Sequence, residues 1–83
     1  MLTPEQIESW LRAGLACDHL AVAGDGRHFE ALIVSAAFEG LSRVQRQQRV
    51  NAVLQEHFES ELLHALSMQC LTPAEARARG LLG

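Results

Sequence analysis

Apolar residues in the first part of the chain recur every three or four positions, which is typical of an amphipathic helix. The residues just before them form a helix-start signal. Thr3 can cap the helix, Pro4 suits its first position, and Gln6 closes a capping box. We therefore predict that the chain opens with a helix whose buried side is formed by Ile7, Trp10, Leu11 and Leu15.

The period then changes to the alternation of β-strands. "DHLAVA" (18–23) places Leu20 and Val22 on one side, and "HFEALIVSA" (28–36) is apolar on both parities from Ala31 to Val34. That second pattern suits a central strand covered on at least one face. The intervening "GDGR" supplies an Asp-Gly pair, which tolerates the positive φ of hairpin turns. These two strands are expected to form an antiparallel hairpin.

The second half alternates between helix and strand signals. "FEGLSRVQRQQRVNAVLQEHF" (38–58) should be the longest helix, with Ser42 as its cap and a stripe of apolar side chains on one face. "HALSMQCL" (64–71) alternates like a third strand. "TPAEARARGLLG" (72–83) repeats the helix-start signal of the first helix and should form a short helix that ends at Gly80. The apolar stripe of the long helix consists of Val50, Val53, Leu54 and Phe58.

This order, helix-strand-strand-helix-strand-helix, predicts an α+β fold. A helical crossover normally makes the strands it joins parallel and right-handed, so strands two and three are expected to be parallel. The economical arrangement is a three-stranded mixed sheet with helices on one face. At 83 residues, the chain has room for a single domain, residues 1–83.

Composition narrows the class of protein. The net charge of −3 argues against non-specific binding to nucleic acid, which depends on neutralising phosphates. Cys17 and Cys70 are far apart and form no CxxC motif, which favours two reduced thiols in a cytoplasmic protein. The N-terminal residues do not resemble a signal peptide, and no apolar segment is long enough to span a membrane.

Two histidines stand at the predicted starts of strands two and three. If these strands are parallel neighbours, His28 and His64 lie at the same edge of the sheet. Neutral imidazole binds zinc, iron or copper, but two histidines are only half a metal site. Asp25 could add a ligand, whereas Cys70 lies roughly 20 Å along the extended chain from His64.

Structural roles are the alternative for all four histidines. His28 and His64 could be surface histidines near strand ends, and the alternation of His64 with Leu66 could turn it toward the helices. His19 and His57 are expected to be structural, since partly buried histidines are ordinary in strands and helices.

Three arginines form a basic strip on the long helix. Arg43, Arg46 and Arg49 are three positions apart, so they span about a third of the helix circumference. Together with the capped helix start they could bind phosphate or a protein partner, or they could form a solvated helix flank. No nucleophile motif, phosphate loop or dinucleotide fingerprint is present, so an enzyme is not expected.

Three blocks in this order, "VAGDGRHFEALIVS", "FEGLSRVQRQQRV" and "HALSMQCLTPAE", resemble the BolA family, and within it the acid-stress subgroup. The resemblance implies a class II KH-like fold. It also implies pairing with a monothiol glutaredoxin and a shared [2Fe–2S] cluster, for which the glutaredoxin and glutathione supply thiolates. On this resemblance, His28 and His64 are the metal ligands contributed by this chain.

Further expectations follow from that resemblance. The free protein would be a monomer without a cofactor and would form a heterodimer with the glutaredoxin. Imidazole ligation should raise the cluster potential and make the cluster labile to acid. A nucleic-acid-binding regulator is the second hypothesis, because KH-like folds bind single strands and the arginines could contact DNA. The GxxG loop of KH domains is reduced here to Gly40. A plain interaction module without metal is the third.

Overall fold

The computed structural model of the chain describes residues 2–55 and 65–82. Residues 36–38 form an additional 3-10 turn that the sequence pattern did not predict. The helices and strands are α1 Pro4–Gly14, β1 His19–Gly24, β2 Phe29–Val34, α2 Arg43–Gln55, β3 Leu66–Leu71 and α3 Pro73–Ala78.

All three predicted helix starts carry their caps. The Thr3 hydroxyl accepts the N–H of Gln6, and the Gln6 side chain accepts the N–H of Thr3. Thr72 and Glu75 repeat this reciprocal pair at the start of α3. Ser42 does the same with Gln45 at the start of α2, through bonds of 3.2 Å and 2.8 Å. Each box satisfies backbone donors that the first helical turn leaves unpaired.

The sheet has the order β1-β2-β3, with β1 antiparallel to β2 and β2 parallel to β3. This confirms the predicted α+β fold with a three-stranded mixed sheet. The second and third strands are shorter than expected, since β2 begins at Phe29 and not His28, and β3 begins at Leu66, directly after the helical Ala65. Ser35 leaves the strand because its hydroxyl caps the 3-10 turn by accepting the N–H of Ala37.

The core lies between the sheet and the two longer helices. Ile7 and Leu11 of α1 and Val50 and Leu54 of α2 are fully buried against it. Phe58, the last member of the predicted α2 stripe, lies outside the described residues. The buried residues of this core are Ile7, Leu11, Leu15, Leu20, Phe29, Ala31, Ile33, Phe38, Val50 and Leu54.

The short helix α3 packs elsewhere. Its buried residue Ala76 joins Val34 and Leu71, whose side chains alternate with the core-facing ones of β2 and β3. The one-sided arrangement of helices therefore holds for α1 and α2, and α3 covers a separate cluster at the far end of the sheet. No helix within the described ranges is long and apolar enough to cross a bilayer.

Candidate functional site

The turn between β1 and β2 is held by one carboxylate. Asp25 Oδ1 accepts the backbone N–H of Arg27 at 2.8 Å and that of His28 at 2.9 Å. The Asp25 N–H in turn donates to the His28 carbonyl at 3.2 Å, and Gly26 takes a φ of +95°. The hairpin chemistry predicted from Asp-Gly is therefore present, and it fixes the backbone of His28 on both sides.

His28 is exposed and stands directly before the first residue of β2. Phe29 at that position is paired with Leu66, the first residue of β3. This confirms that β2 and β3 are parallel and start side by side, which is the arrangement from which we expected His28 and His64 to converge. His64 and His57 lie outside the described residues, so the predicted ligand pair stays a prediction.

Asp25 is engaged by the turn itself. The N–H groups of His28 and then Arg27 hold the pKa of its carboxyl below the ordinary value, because both bonds favour the charged form. Asp25 Oδ1 therefore shapes the turn, and the suggestion that Asp25 also adds a metal ligand stays a prediction.

Both thiols are partly buried and unpaired with each other. Burial raises the pKa of Cys17, and it raises the pKa of Cys70 to about 11. Cys70 is paired with Ile33, well along β3 from the Phe29–Leu66 pair. Among the described residues, no three or more histidine, cysteine, aspartate or glutamate side chains are grouped so that they could hold a metal ion.

The basic strip on α2 is divided by the fold. Arg46 has only 13% of its side chain exposed and points into the structure. Its Nη1 donates to Glu75 Oε1 at 2.6 Å and to the Cys70 carbonyl at 3.1 Å, and its Nε donates to the Leu41 carbonyl at 3.1 Å. These bonds link α2, β3 and α3, so Arg46 offers little surface to nucleic acid or a partner.

Arg43 and Arg49 keep the exposure that was expected of them. Neither guanidinium has a salt bridge to any residue in the described part of the chain. Sequence reasoning missed Glu75 as the partner of Arg46, because the two are 29 positions apart and the capping box already accounted for the glutamate. Whether Arg43, Arg46 and Arg49 form a binding surface stays a prediction.

Comparison with known proteins gives consistent matches. A family model described as "BolA-like protein" matches residues 3–75. The acid stress protein IbaG of Escherichia coli K12 is 42% identical over 79 residues, which are 94% of each chain. BolA-like protein 1 of Homo sapiens is 40% identical over 92% of this chain and 53% of its own. The structure of a bolA homologue from Coxiella burnetii, 36% identical, superposes with a TM-score of 0.80 over 93% of this chain and 99% of its own.

Proposed function

Because this chain belongs to the BolA-like family, we propose that it is a non-enzymatic adaptor that pairs with a monothiol glutaredoxin and shares a [2Fe–2S] cluster with it. The proposed role is in iron homeostasis and the stress response, in the cytoplasm. The observation that carries the proposal is the register of β2 and β3, which starts both strands side by side next to the exposed His28. His64 precedes β3 by two positions in the sequence.

The end of the sheet where β2 and β3 begin suits one or two imidazole ligands for the shared cluster. His28 is exposed, and its backbone is fixed by Asp25, so that little ordering is needed when a metal centre arrives. The cluster when bound supplies electron transfer or transferable iron and sulfide. We expect the thiolates to come from the partner and glutathione, because Cys70 is paired with Ile33, far along β3 from His28, and burial raises its pKa to about 11.

Reconstitution tests this proposal directly. The protein is mixed with a monothiol glutaredoxin, glutathione, ferrous iron and sulfide, and visible absorption and circular dichroism are recorded. Replacement of His28 or His64 by alanine should alter the heterodimer spectrum. His19→Ala is the matched control, because His19 is paired with Val34 at the opposite end of the hairpin.

Acidification is the second measurement. Since neutral imidazole is the form that binds metal, the shared cluster should be released as the pH falls, earlier than the cluster of the glutaredoxin alone. A heterodimer spectrum that is unchanged in both His28→Ala and His64→Ala would refute the assignment of these ligands.

The second candidate is a KH-like nucleic-acid-binding regulator, and exposed Arg43 and Arg49 favour it. With these two arginines in contact with phosphates, the plot of log affinity against log salt for duplex DNA should have a slope of about −2. A slope near zero would exclude the arginine strip as a phosphate-binding surface.

A further inference from the structure

A polar groove runs along the C-terminal half of β3, between the first turns of α2 and the helix α3. Its cavity has a volume of about 320 Å³, which is at the small end of the range for ligand sites. Three arginines and one glutamate contribute its charged lining. These are Arg43, Arg46, Arg79 and Glu75, beside the amides of Gln47 and Gln69.

The Arg46–Glu75 pair forms the inner part of this groove. The Leu71 carbonyl accepts the N–H of Ser35, which follows β2, so the adjacent Cys70 carbonyl points away from β2. Arg46 covers that outward carbonyl, and Glu75 Oε1 accepts the N–H of Thr72 at 2.8 Å. The pair thereby covers the outer edge of β3, so that another strand cannot pair there, and its two charges neutralise each other.

The other two arginines are free to act on a ligand. Arg43 and Arg79 are exposed, and neither guanidinium has an ion pair or side-chain hydrogen bond within residues 2–55 and 65–82. The groove is therefore positive, although the chain as a whole carries a net charge of −3. A local excess of one sign of charge in a concave site attracts a ligand of the opposite sign.

We propose that this groove docks a short acidic segment of a partner protein, with carboxylates bound by Arg43 and Arg79. Planar guanidinium groups match carboxylates, and the amides of Gln47 and Gln69 can bond a peptide backbone. The net charge of −3 on the chain opposes the continuous line of charge of a nucleic acid, whereas two separate carboxylates need only the local positive charge of the groove. The proposal is independent of the metal-sharing role, because the groove lies at the other end of β3 from His28.

Binding is measured by fluorescence anisotropy on the full chain, without glutaredoxin or iron. The probes are a short labelled peptide in which glutamate alternates with serine, the same peptide with glutamine for glutamate, and labelled oligothymidine. The test variant is Arg43→Gln with Arg79→Gln. The matched control is Arg49→Gln with Arg77→Gln, which removes the same charge from α2 and from the end of α3 at residues that do not line the groove.

The acidic peptide should bind the parent protein, and the glutamine peptide should bind at least tenfold more weakly. The test variant should lose roughly tenfold in affinity, as expected for two exposed ion pairs. The control variant should change by less than about twofold, with circular dichroism confirming that both variants are folded. Equal losses in the two variants, equal binding of the two peptides, or preferential binding of oligothymidine would each overturn the proposal.

Discussion

The substitution Gly24→Ala tests the link between the hairpin turn and His28. Gly24 ends β1 directly opposite Phe29. A Cβ at this position would lie 2.6 Å from the His28 carbonyl oxygen and closer still to the Phe29 ring. The Cβ and this oxygen would have to separate by about 0.8 Å to reach ordinary contact at 3.4 Å. Since Phe29 is 2% exposed and packed in the core, its ring has little freedom to move aside.

Overpacking of this kind typically destabilises a protein by about 1–3 kcal/mol. Urea denaturation followed by circular dichroism measures the loss of stability. In thermal unfolding, each kcal/mol lost should lower the Tm by about 4–8 °C in a domain of this size. Ala23→Ser is the matched control, because it adds one heavy atom to the neighbouring, exposed residue of the same strand. The control should stay within about 0.5 kcal/mol of the parent protein.

The same variant perturbs the proposed metal ligand through its backbone. Displacement of the His28 carbonyl weakens the bond that it accepts from the Asp25 N–H. In the reconstituted heterodimer, Gly24→Ala should therefore alter the cluster spectrum more than Ala23→Ser does. A Gly24→Ala protein as stable as the parent would refute the packing argument, whatever its spectrum.

Three further predictions concern the region around α3. Arg46 and then Thr72 hold the pKa of Glu75 at about 2, below its ordinary 4.5, so the stability contributed by this carboxylate is present above pH 4.5 and is lost as pH falls toward 2. In urea titrations, the free energy of unfolding of Glu75→Gln should depend less on pH between 4.5 and 2 than that of the parent protein. An unchanged pH dependence would show that Glu75 is not the group responsible. Thr72→Ala removes the cap and should destabilise by about 1 kcal/mol in urea denaturation, with Thr72→Ser close to the parent. Iodoacetamide at pH 8 should modify Cys70 much more slowly in the folded than in the unfolded protein, because burial raises its pKa to about 11. Equal rates of modification in the two states would show that the fold does not protect this thiol.

The features that sequence predicts well in this chain are local. Each capping box joins residues three positions apart, as in Thr3 with Gln6, so the signal is contained within one turn. The Asp25 turn is equally local, since its carboxylate bonds groups two and three positions ahead. The parallel pairing of β2 and β3 followed from the connection between them, because an intervening helix carries the chain back to the same end of the sheet.

Arg46 shows what the sequence could not supply. Its spacing with Arg43 and Arg49 correctly indicates a common side of a helix, but this spacing carries no information about what lies opposite. In the fold that neighbour is the outer edge of β3 together with Glu75, which is 29 positions away. One arginine of the strip is thereby held in an ion pair at the inner part of the groove, and Arg79, directly after α3, lines the groove with it.

The parallel strands β2 and β3 separate the two proposed surfaces. Their common register begins beside His28 and ends at Leu71, next to the Arg46–Glu75 pair, which is a span of about 16 Å for six paired residues. Sites that far apart with no shared partner normally respond independently to mutation. His28→Ala should therefore leave the acidic-peptide affinity unchanged, and Arg43→Gln with Arg79→Gln should leave the cluster spectrum of a preformed heterodimer unchanged. If either variant alters both measurements, the two ends of the sheet are coupled, and the separation argued from the strand register fails.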